Sequence, residues 1–203
     1  MLLYPNRTLY LGIDAPPGVF HYPVIRTERI DSSELREALG IWDRCTHAIF
    51  TSKNGVRHWP GNFHGKQTVA IGETTAKEIG GRGASAPWIA PEATQEGVAA
   101  LLATLDLDGA FLLYPRSKLA RPFLAEYLKA ENLSHYGFDL YDTVFQRPEP
   151  VPELADFDEI IFTSSSTVHA FFQIFSSVPR RIALTSIGPI TKKTLEEYFF
   201  ARI

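Results

Sequence analysis

The chain has 203 residues, of which 45% are hydrophobic and 21% charged, and its formal net charge at pH 7 is −3. This length accommodates one large globular domain or two small ones, and the composition is that of an ordinary globular protein. A weakly negative chain has no overall basic field to attract nucleic acid or a lipid surface, so we expect neither as a partner.

Short apolar runs alternate with segments of helical periodicity, and turn residues separate them. In chain order, this pattern predicts strands at Thr8–Asp14 and Val24–Ile30, a helix at Ser32–Leu39, strands at His47–Thr51 and Thr68–Ile71, helices at Glu73–Ile79 and Thr94–Leu105, a strand at Ala110–Tyr114, a helix at Arg121–Ala130, strands at Phe138–Phe145 and Glu159–Thr163, a helix at Ser165–Phe175, a strand at Arg181–Thr185 and a helix at Ile190–Phe200. Strands that alternate with helices are typical of an α/β fold, in which parallel sheets carry helices on their faces.

Two short motifs recur in the same order. The segment Phe50–Val56 (FTSKNGV) resembles Phe162–Val168 (FTSSSTV), and Ala70–Thr75 (AIGETT) resembles Ser186–Thr191 (SIGPIT). The first pair begins 112 residues apart, at positions 50 and 162, and the second 116 apart, at positions 70 and 186. An ordered pair at nearly the same offset predicts two related α/β halves.

Each repeated segment lies where a predicted strand turns into a helix. The first turn of a helix exposes unpaired N–H groups and a partial positive charge, so the residues there either only cap the helix or also bind carboxylates or phosphates. Both interpretations stay open for the candidate residues, which are Thr51, Ser52, Gly72, Thr75, Thr163, Ser164, Gly188 and Thr191. In parallel sheets ligands bind at the carboxyl ends of the strands, and we expect the four turns to line one cleft.

Sequence signals for nucleotides, metals and membranes are absent. No Gly-x-Gly-x-x-Gly follows a predicted strand, no GxxxxGK(S/T) is present, and the six histidines lack metal-ligand spacing. No run reaches the roughly 18 apolar residues of a membrane helix, and Pro5 and Arg7 interrupt the start of the chain. The single cysteine, Cys45, excludes an internal disulfide. We therefore expect a cytoplasmic protein without a metal site.

The repeated motifs belong to a larger set that resembles the uroporphyrinogen-III synthases. The set also contains Tyr114–Arg121 (YPRSKLAR) and Tyr141–Val144 (YDTV), and it extends in the family's order from about Ile49 to Lys193. The resemblance implies two α/β domains joined by a two-stranded linker. Mapped onto this chain, residues 1–24 and 148–203 form the first, discontinuous domain, residues 31–140 the second, and residues 25–30 and 141–147 the linker strands.

The resemblance also implies a monomeric, cofactor-free lyase of heme biosynthesis. Such an enzyme closes the linear tetrapyrrole hydroxymethylbilane, with inversion of ring D and loss of water, to give uroporphyrinogen III. Tyr141 matches the tyrosine of the family's YxTV segment and would donate a proton to the departing hydroxyl; the alternative is a buried linker aromatic. Arg116, Lys118 and Arg121 lie in a matched loop and would bind substrate carboxylates, unless they are only solvated. The hydroxyl and glycine residues of the four turns would complete the substrate site.

The sequence departs from the family pattern in the first domain. Ile190 stands where the family's IGPTT turn has its first threonine, and Ala15–Tyr22 contains a Pro-Pro-Gly run where the family has a helix. The chain also ends at Ile203, where the family adds a strand and a helix, so we expect an abridged first domain. These departures keep open a second function, that of a noncatalytic two-domain binding or regulatory module for an anionic small molecule. A phosphate-binding enzyme is a third, weakened by the missing phosphate loops.

Overall fold

The computed structural model describes residues 7–200, apart from the side chains of Phe199 and Phe200. These residues form two compact units. The discontinuous unit consists of the residues up to Arg26 and those from Thr143 onward, and the continuous unit is Thr27–Asp142. The chain therefore leaves the discontinuous unit once and returns to it once. Residues 1–6 and 201–203, which belong to the first predicted domain, lie outside the described residues.

Strands and helices alternate along most of the chain. The elements are β1 (Thr8–Tyr10), β2 (Phe20–His21), β3 (Ile25–Arg29), α1 (Ser33–Ile41), β4 (His47–Phe50), α2 (Lys53–His58), β5 (Gln67–Ala70), α3 (Glu73–Gly80), β6 (Trp88–Ile89), α4 (Gln95–Leu102), β7 (Leu112–Ser117), α5 (Phe123–Ala130), β8 (His135–Phe145), β9 (Glu159–Phe162), α6 (Ser165–Ile174), β10 (Ala183–Ser186) and α7 (Pro189–Phe200). Each predicted strand and helix is present with shifted ends. None of the described helices is long and apolar enough to cross a membrane.

The continuous unit is built on a six-stranded sheet in the order β3-β8-β7-β4-β5-β6. The pairs β8-β7, β7-β4, β4-β5 and β5-β6 are parallel. Successive residues of β4 belong to different clusters of buried side chains, because side chains alternate between the two faces of a strand. Phe50 packs with residues of α1, α2 and α3, and Ile49 packs with residues of α4 and α5. The sheet is therefore covered by helices on both faces, as the α/β prediction requires.

The segments predicted as linker strands are extended. Val24–Ile30 contains β3, and Tyr141–Arg147 overlaps the end of β8, which begins earlier, at His135. In the structure β3 and β8 are neighbours in the six-stranded sheet, so they extend the sheet beside β7. The apolar and aromatic residues of these segments suit a partly buried strand in a sheet as well as they suit a linker.

The discontinuous unit is built on a four-stranded sheet in the order β10-β9-β1-β2, in which every neighbouring pair is parallel. One cluster of buried side chains joins the sheet to its helices, with Leu9 from β1, Phe162 from β9, Phe171 from α6 and Leu195 from α7. Ala15–Val19 contains one turn, at Pro17 and Gly18, and no helix, as the Pro-Pro-Gly run predicts.

The internal repeat corresponds to the same local fold in each unit. β4, α2, β5 and α3 follow one another in the continuous unit, as β9, α6, β10 and α7 do in the discontinuous unit. The two strands of each set are parallel neighbours. The prediction of two related α/β halves with separate sheets is therefore confirmed.

Candidate functional site

Several candidate residues lie at one edge of the six-stranded sheet. β4 leads into Thr51 and Ser52, and its two neighbours are β5, which leads into Gly72, and β7, which ends at Ser117. Because parallel strands place their carboxyl ends at the same edge, these turns belong to one side of the continuous unit. The grouping of these turns with those of the other unit in one cleft stays a prediction.

Tyr141 joins this edge through an irregularity in the pairing of β7 with β8. Arg116 pairs with Asp139, but the next residue of β7, Ser117, pairs with Tyr141. The pairing therefore skips Leu140, and both Leu140 and Tyr141 enter the same buried cluster. The backbone N–H of Lys118 donates to the Tyr141 carbonyl at 2.9 Å, which holds the irregular pair together.

Tyr141 is 5% exposed and belongs to a buried cluster of the continuous unit. Burial raises the pKa of the phenol above its ordinary value, and hydrogen bonding with the Ser52 and Ser117 side chains lowers it by less. The phenol is therefore neutral at physiological pH and can act as a proton donor. The two serine hydroxyls can stabilise the phenolate that remains after the proton has left.

A second phenol lies in the same region. Tyr114 of β7 is fully buried, and its hydroxyl has no hydrogen-bond partner among the described residues. Burial raises the pKa of Tyr114, and the nearby Thr51 hydroxyl acts in the opposite direction. Tyr114 lies in the hydrophobic cluster on the α4 and α5 face, whereas Tyr141 belongs to the cluster on the α1 to α3 face.

The serines of the two FTS segments are helix caps. Ser52 Oγ accepts a hydrogen bond from the Asn54 amide at 3.0 Å, and Ser164 Oγ accepts one from the Thr167 amide at 3.3 Å. At α6 the cap is reciprocal, because Thr167 Oγ1 accepts from the amides of Thr163 and Ser164 at 3.1 and 3.2 Å. Ser52 also acts on Tyr141, because its hydroxyl lowers the pKa of the phenol.

The two Ile-Gly turns use their glycines differently. Gly188 has a φ of 89°, a conformation that favours glycine, whereas Gly72 is extended. A Cβ on Gly72 would lie 3.2 Å from the Ala93 Cβ, so Gly72 permits a close approach of two chain segments.

The threonines proposed for these turns are buried. Thr75 is 4% and Thr191 is 5% exposed, and each is the third residue of its helix. The residue that precedes each of these threonines is exposed, Thr74 in α3 and Ile190 in α7. Substrate binding by Thr75 and Thr191 stays a prediction, but Thr74 is the hydroxyl that solvent reaches.

The three basic residues of the predicted loop each lie beside a carboxylate. Arg116 Nε donates to Asp139 at 2.8 Å, and Lys118 Nζ lies 3.3 Å from Asp142. Arg121 forms a two-bond pair with Glu96. Arg116 also lies in β7 rather than in a loop. Arg116 and Lys118, with Asp139, line an open hollow of about 470 Å³ on the continuous unit. Among the described residues, no group of three His, Cys, Asp or Glu side chains is arranged to hold a metal ion.

Two residues that contact Tyr141, Ser117 and His58, are not among the site residues predicted from the sequence. Ser117 meets it through the β7–β8 register, and the His58 ring stacks on the Tyr141 ring at 5.4 Å between centroids and 23° between planes. Ser117 lies within the motif Tyr114–Arg121, so its position in the sequence was a usable signal. His58 carries no comparable signal, because a single histidine at the end of a short helix is common.

Comparison with known proteins points to one family. The sequence profile described as uroporphyrinogen-III synthase HemD matches residues 18–203. A curated protein of Methanothermobacter thermautotrophicus named "Putative uroporphyrinogen-III synthase" is 29% identical over 201 aligned positions, which cover 87% of this chain and 78% of that protein.

Two solved structures share the fold. The crystal structure of uroporphyrinogen-III synthetase from Helicobacter pylori has a TM-score of 0.66 and 17% identity, over 96% of this chain and 89% of that chain. A mutant uroporphyrinogen III synthase from the extremely thermophilic bacterium Thermus thermophilus has a TM-score of 0.55 with the same identity and coverage.

Proposed function

The chain belongs to the uroporphyrinogen-III synthase family, and on that premise we propose that it converts hydroxymethylbilane to uroporphyrinogen III with loss of one water. The observation that carries the proposal is the Tyr141 phenol, which is buried, neutral and accompanied by the hydroxyls of Ser52 and Ser117. The same tyrosine is the one that the YxTV match assigns to catalysis.

The proposed reaction begins with the loss of the terminal hydroxyl of the substrate. Tyr141 donates its proton to that hydroxyl, the C–O bond breaks, and water departs. The product of this step is an electrophilic azafulvene. The pyrrole carbon of ring D attacks through a spiro intermediate, and rearrangement inverts ring D before the macrocycle closes. Closure releases one proton from a pyrrole carbon, which balances the proton given to the leaving hydroxyl. The overall step is a cyclising hydro-lyase reaction without a change in oxidation level.

The larger task of such an enzyme is to orient its substrate. Hydroxymethylbilane is a flexible polyanion that also closes spontaneously without inversion, so the enzyme must favour one conformation of the chain. The exposed hydroxyl of Thr74 and the ammonium of Lys118 are suited to hold substrate carboxylates in the continuous unit. Thr163, Ser164 and Gly188 are the corresponding candidates in the discontinuous unit.

A noncatalytic binding module is the alternative, and one observation favours it. Ile190 is 71% exposed at the position where the equivalent turn of the other unit presents Thr74. A side chain that cannot form a hydrogen bond at this position weakens a polar substrate site. The alternative keeps the two-domain fold as a binding or regulatory module for an anionic small molecule and has lost turnover.

The test is to supply hydroxymethylbilane to the purified protein and to separate the III and I isomers of the product. The proposed enzyme gives isomer III in excess and at a rate proportional to the protein concentration. Isomer I alone, at the rate of the reaction without protein, contradicts the proposal. Binding of uroporphyrinogen III without turnover, measured by calorimetry, supports the alternative.

A further inference from the structure

We propose that His58 is a positioning residue that holds the Tyr141 ring on one face of helix α2. The expected effect of His58 on catalysis rests on the proposed function, because His58 acts through Tyr141 and not on the substrate. Its geometric part concerns only contacts within the continuous unit, so it can be tested without substrate.

Three residues of α2 and its cap meet Tyr141. The Ser52 hydroxyl at the start of the helix acts on the phenol and lowers its pKa, and His58 at the end of the helix stacks on the ring. Between them, a Cβ added to Gly55 would lie 3.8 Å from Tyr141 Cε1, so the ring runs close to the helix backbone there. Positions 52, 55 and 58 are three residues apart and lie on one side of a helix. A single short element therefore lies along the edge and the face of Tyr141 and influences its hydroxyl.

The His58 ring is itself fixed at its far side. Its Nε2 lies 2.8 Å from the Thr27 hydroxyl of β3, and β3 is the neighbour of β8 in the sheet. The imidazole is thus held between the strand next to Tyr141 and the Tyr141 ring. A ring with only the stacking contact would rotate about its side-chain bonds, and the bond to Thr27 restricts that rotation.

The charge state of His58 suits this role. Burial lowers the pKa of His58, and the positive charge of Arg29 lowers it further. The imidazole is therefore neutral at physiological pH and adds no positive charge beside the phenol. A neutral partner excludes water from the ring face and leaves the phenol protonated, whereas an imidazolium in the same place would favour the phenolate.

The test compares His58→Ala, which removes the stacking surface and the bond to Thr27, with His58→Phe, which restores a flat ring. His64→Ala, at an exposed position on the same unit, is the matched control. Two quantities are measured: the titration of the Tyr141 phenol, followed by NMR of tyrosine labelled at Cζ and assigned by Tyr141→Phe, and the kcat and KM for isomer III formation.

We expect His58→Ala to shift the phenol pKa towards 10, the ordinary value, and to lower kcat about tenfold with little change in KM. His58→Phe should restore most of the phenol pKa and of kcat, and His64→Ala should change neither. Thr27→Val, which removes only the hydrogen bond, should give a smaller shift in the same direction. If His58→Ala does not fold, the Tyr141 titration and the kcat of His58→Phe and Thr27→Val still test the inference.

An unchanged Tyr141 titration in folded His58→Ala and in Thr27→Val overturns the inference, whatever the activity. A shifted titration in a protein that forms no isomer III supports the positioning of Tyr141 by His58 and rejects the proposed function instead. A fall in kcat for His58→Phe equal to that for His58→Ala, with the phenol pKa restored, overturns the role of stacking.

Discussion

Arg121 donates two parallel hydrogen bonds to the Glu96 carboxylate, 2.8 Å from Nη1 and 2.7 Å from Nη2. This contact lowers the pKa of Glu96 to about 2, so the pair stays ionised across the pH range of an ordinary assay. Lys118 is about as exposed as Arg121, 59% against 55% of the side chain, but its ammonium lies 3.3 Å from Asp142, farther than either Arg121 nitrogen lies from Glu96. Lys118 is therefore better placed than Arg121 to exchange its protein partner for a substrate carboxylate.

Lys118→Gln is expected to raise KM for hydroxymethylbilane on the order of fivefold, because an exposed charge pair contributes little more than this. Arg121→Gln is the matched control and should leave KM within about twofold of wild type. Steady-state kinetics at low ionic strength, where charge contacts are least screened, measure both. An Arg121→Gln KM that rises as much as that of Lys118→Gln would contradict the assignment.

The exposed residues of the two Ile-Gly turns provide a second comparison. Ile190→Thr removes little buried surface, since Ile190 is 71% exposed, and should leave the melting temperature close to wild type. If the turn contacts substrate, the new hydroxyl adds one hydrogen bond and lowers KM about threefold. Thr74→Ile, the reverse change in the other unit, should raise KM. An intact Ile190→Thr protein with a wild-type KM would remove this turn from the site.

The cap of α6 is expected to contribute measurable stability. Ser164→Ala removes the acceptor for the Thr167 amide and half of the reciprocal cap. We expect the free energy of unfolding to fall by about 1 kcal/mol, measured by urea denaturation. Ser166→Ala, inside the first turn of the same helix, is the control and should be neutral or slightly stabilising, because alanine favours helix. An equal fall in the free energy of unfolding in both variants would show that the cap does not contribute to stability.

Stability should also depend on pH through His47. Burial lowers the pKa of His47, whose ring stacks on Trp88 at 5.5 Å. A histidine with a folded pKa below its unfolded value of 6.5 binds fewer protons in the folded state, so stability falls as the pH drops through 6.5. His58 acts in the same direction. The melting temperature should therefore fall between about pH 7.5 and about pH 5.5.

His47→Phe keeps a ring against Trp88 and removes the ionisation. Thr46 Oγ1 loses its contact with His47 Nδ1 but remains bonded to the Phe111 backbone, so its hydroxyl is not left unpaired. The fall in melting temperature with decreasing pH should be smaller in this variant than in wild type. The same pH dependence in both proteins would show that His47 does not titrate with unfolding.

The local features of the fold could be predicted from the sequence. The strand and helix alternation and the capping serines Ser52 and Ser164 depend on nearby residues, so the pattern of the chain shows them directly. The repeat predicted two related halves for the same reason. The two-residue strands β2 and β6 could not be predicted, because two residues show no alternation.

The site required contacts that the sequence pattern does not contain. The surroundings of Tyr141 depend on the skipped residue in the β7–β8 register and on His58, more than eighty positions earlier in the chain. The burial of Thr75 and the exposure of Thr74 depend on how α3 is rotated against its sheet, which a motif match does not specify. The pairing of Arg121 with Glu96 likewise joins residues 25 positions apart.

The measurement that tests the central claim most directly is the initial rate of isomer III formation by Tyr141→Phe and Tyr114→Phe. Each change removes one hydroxyl from a buried tyrosine of the continuous unit and keeps its ring, and thermal melts of both variants check that they fold. Tyr114→Phe should be as active as wild type and equally or more stable, because its hydroxyl has no partner among the described residues. Tyr141→Phe should melt near wild type but lose on the order of 10²-fold in rate, as the loss of a general acid predicts. A wild-type rate for Tyr141→Phe, or a loss equal to that of Tyr114→Phe, would contradict the account.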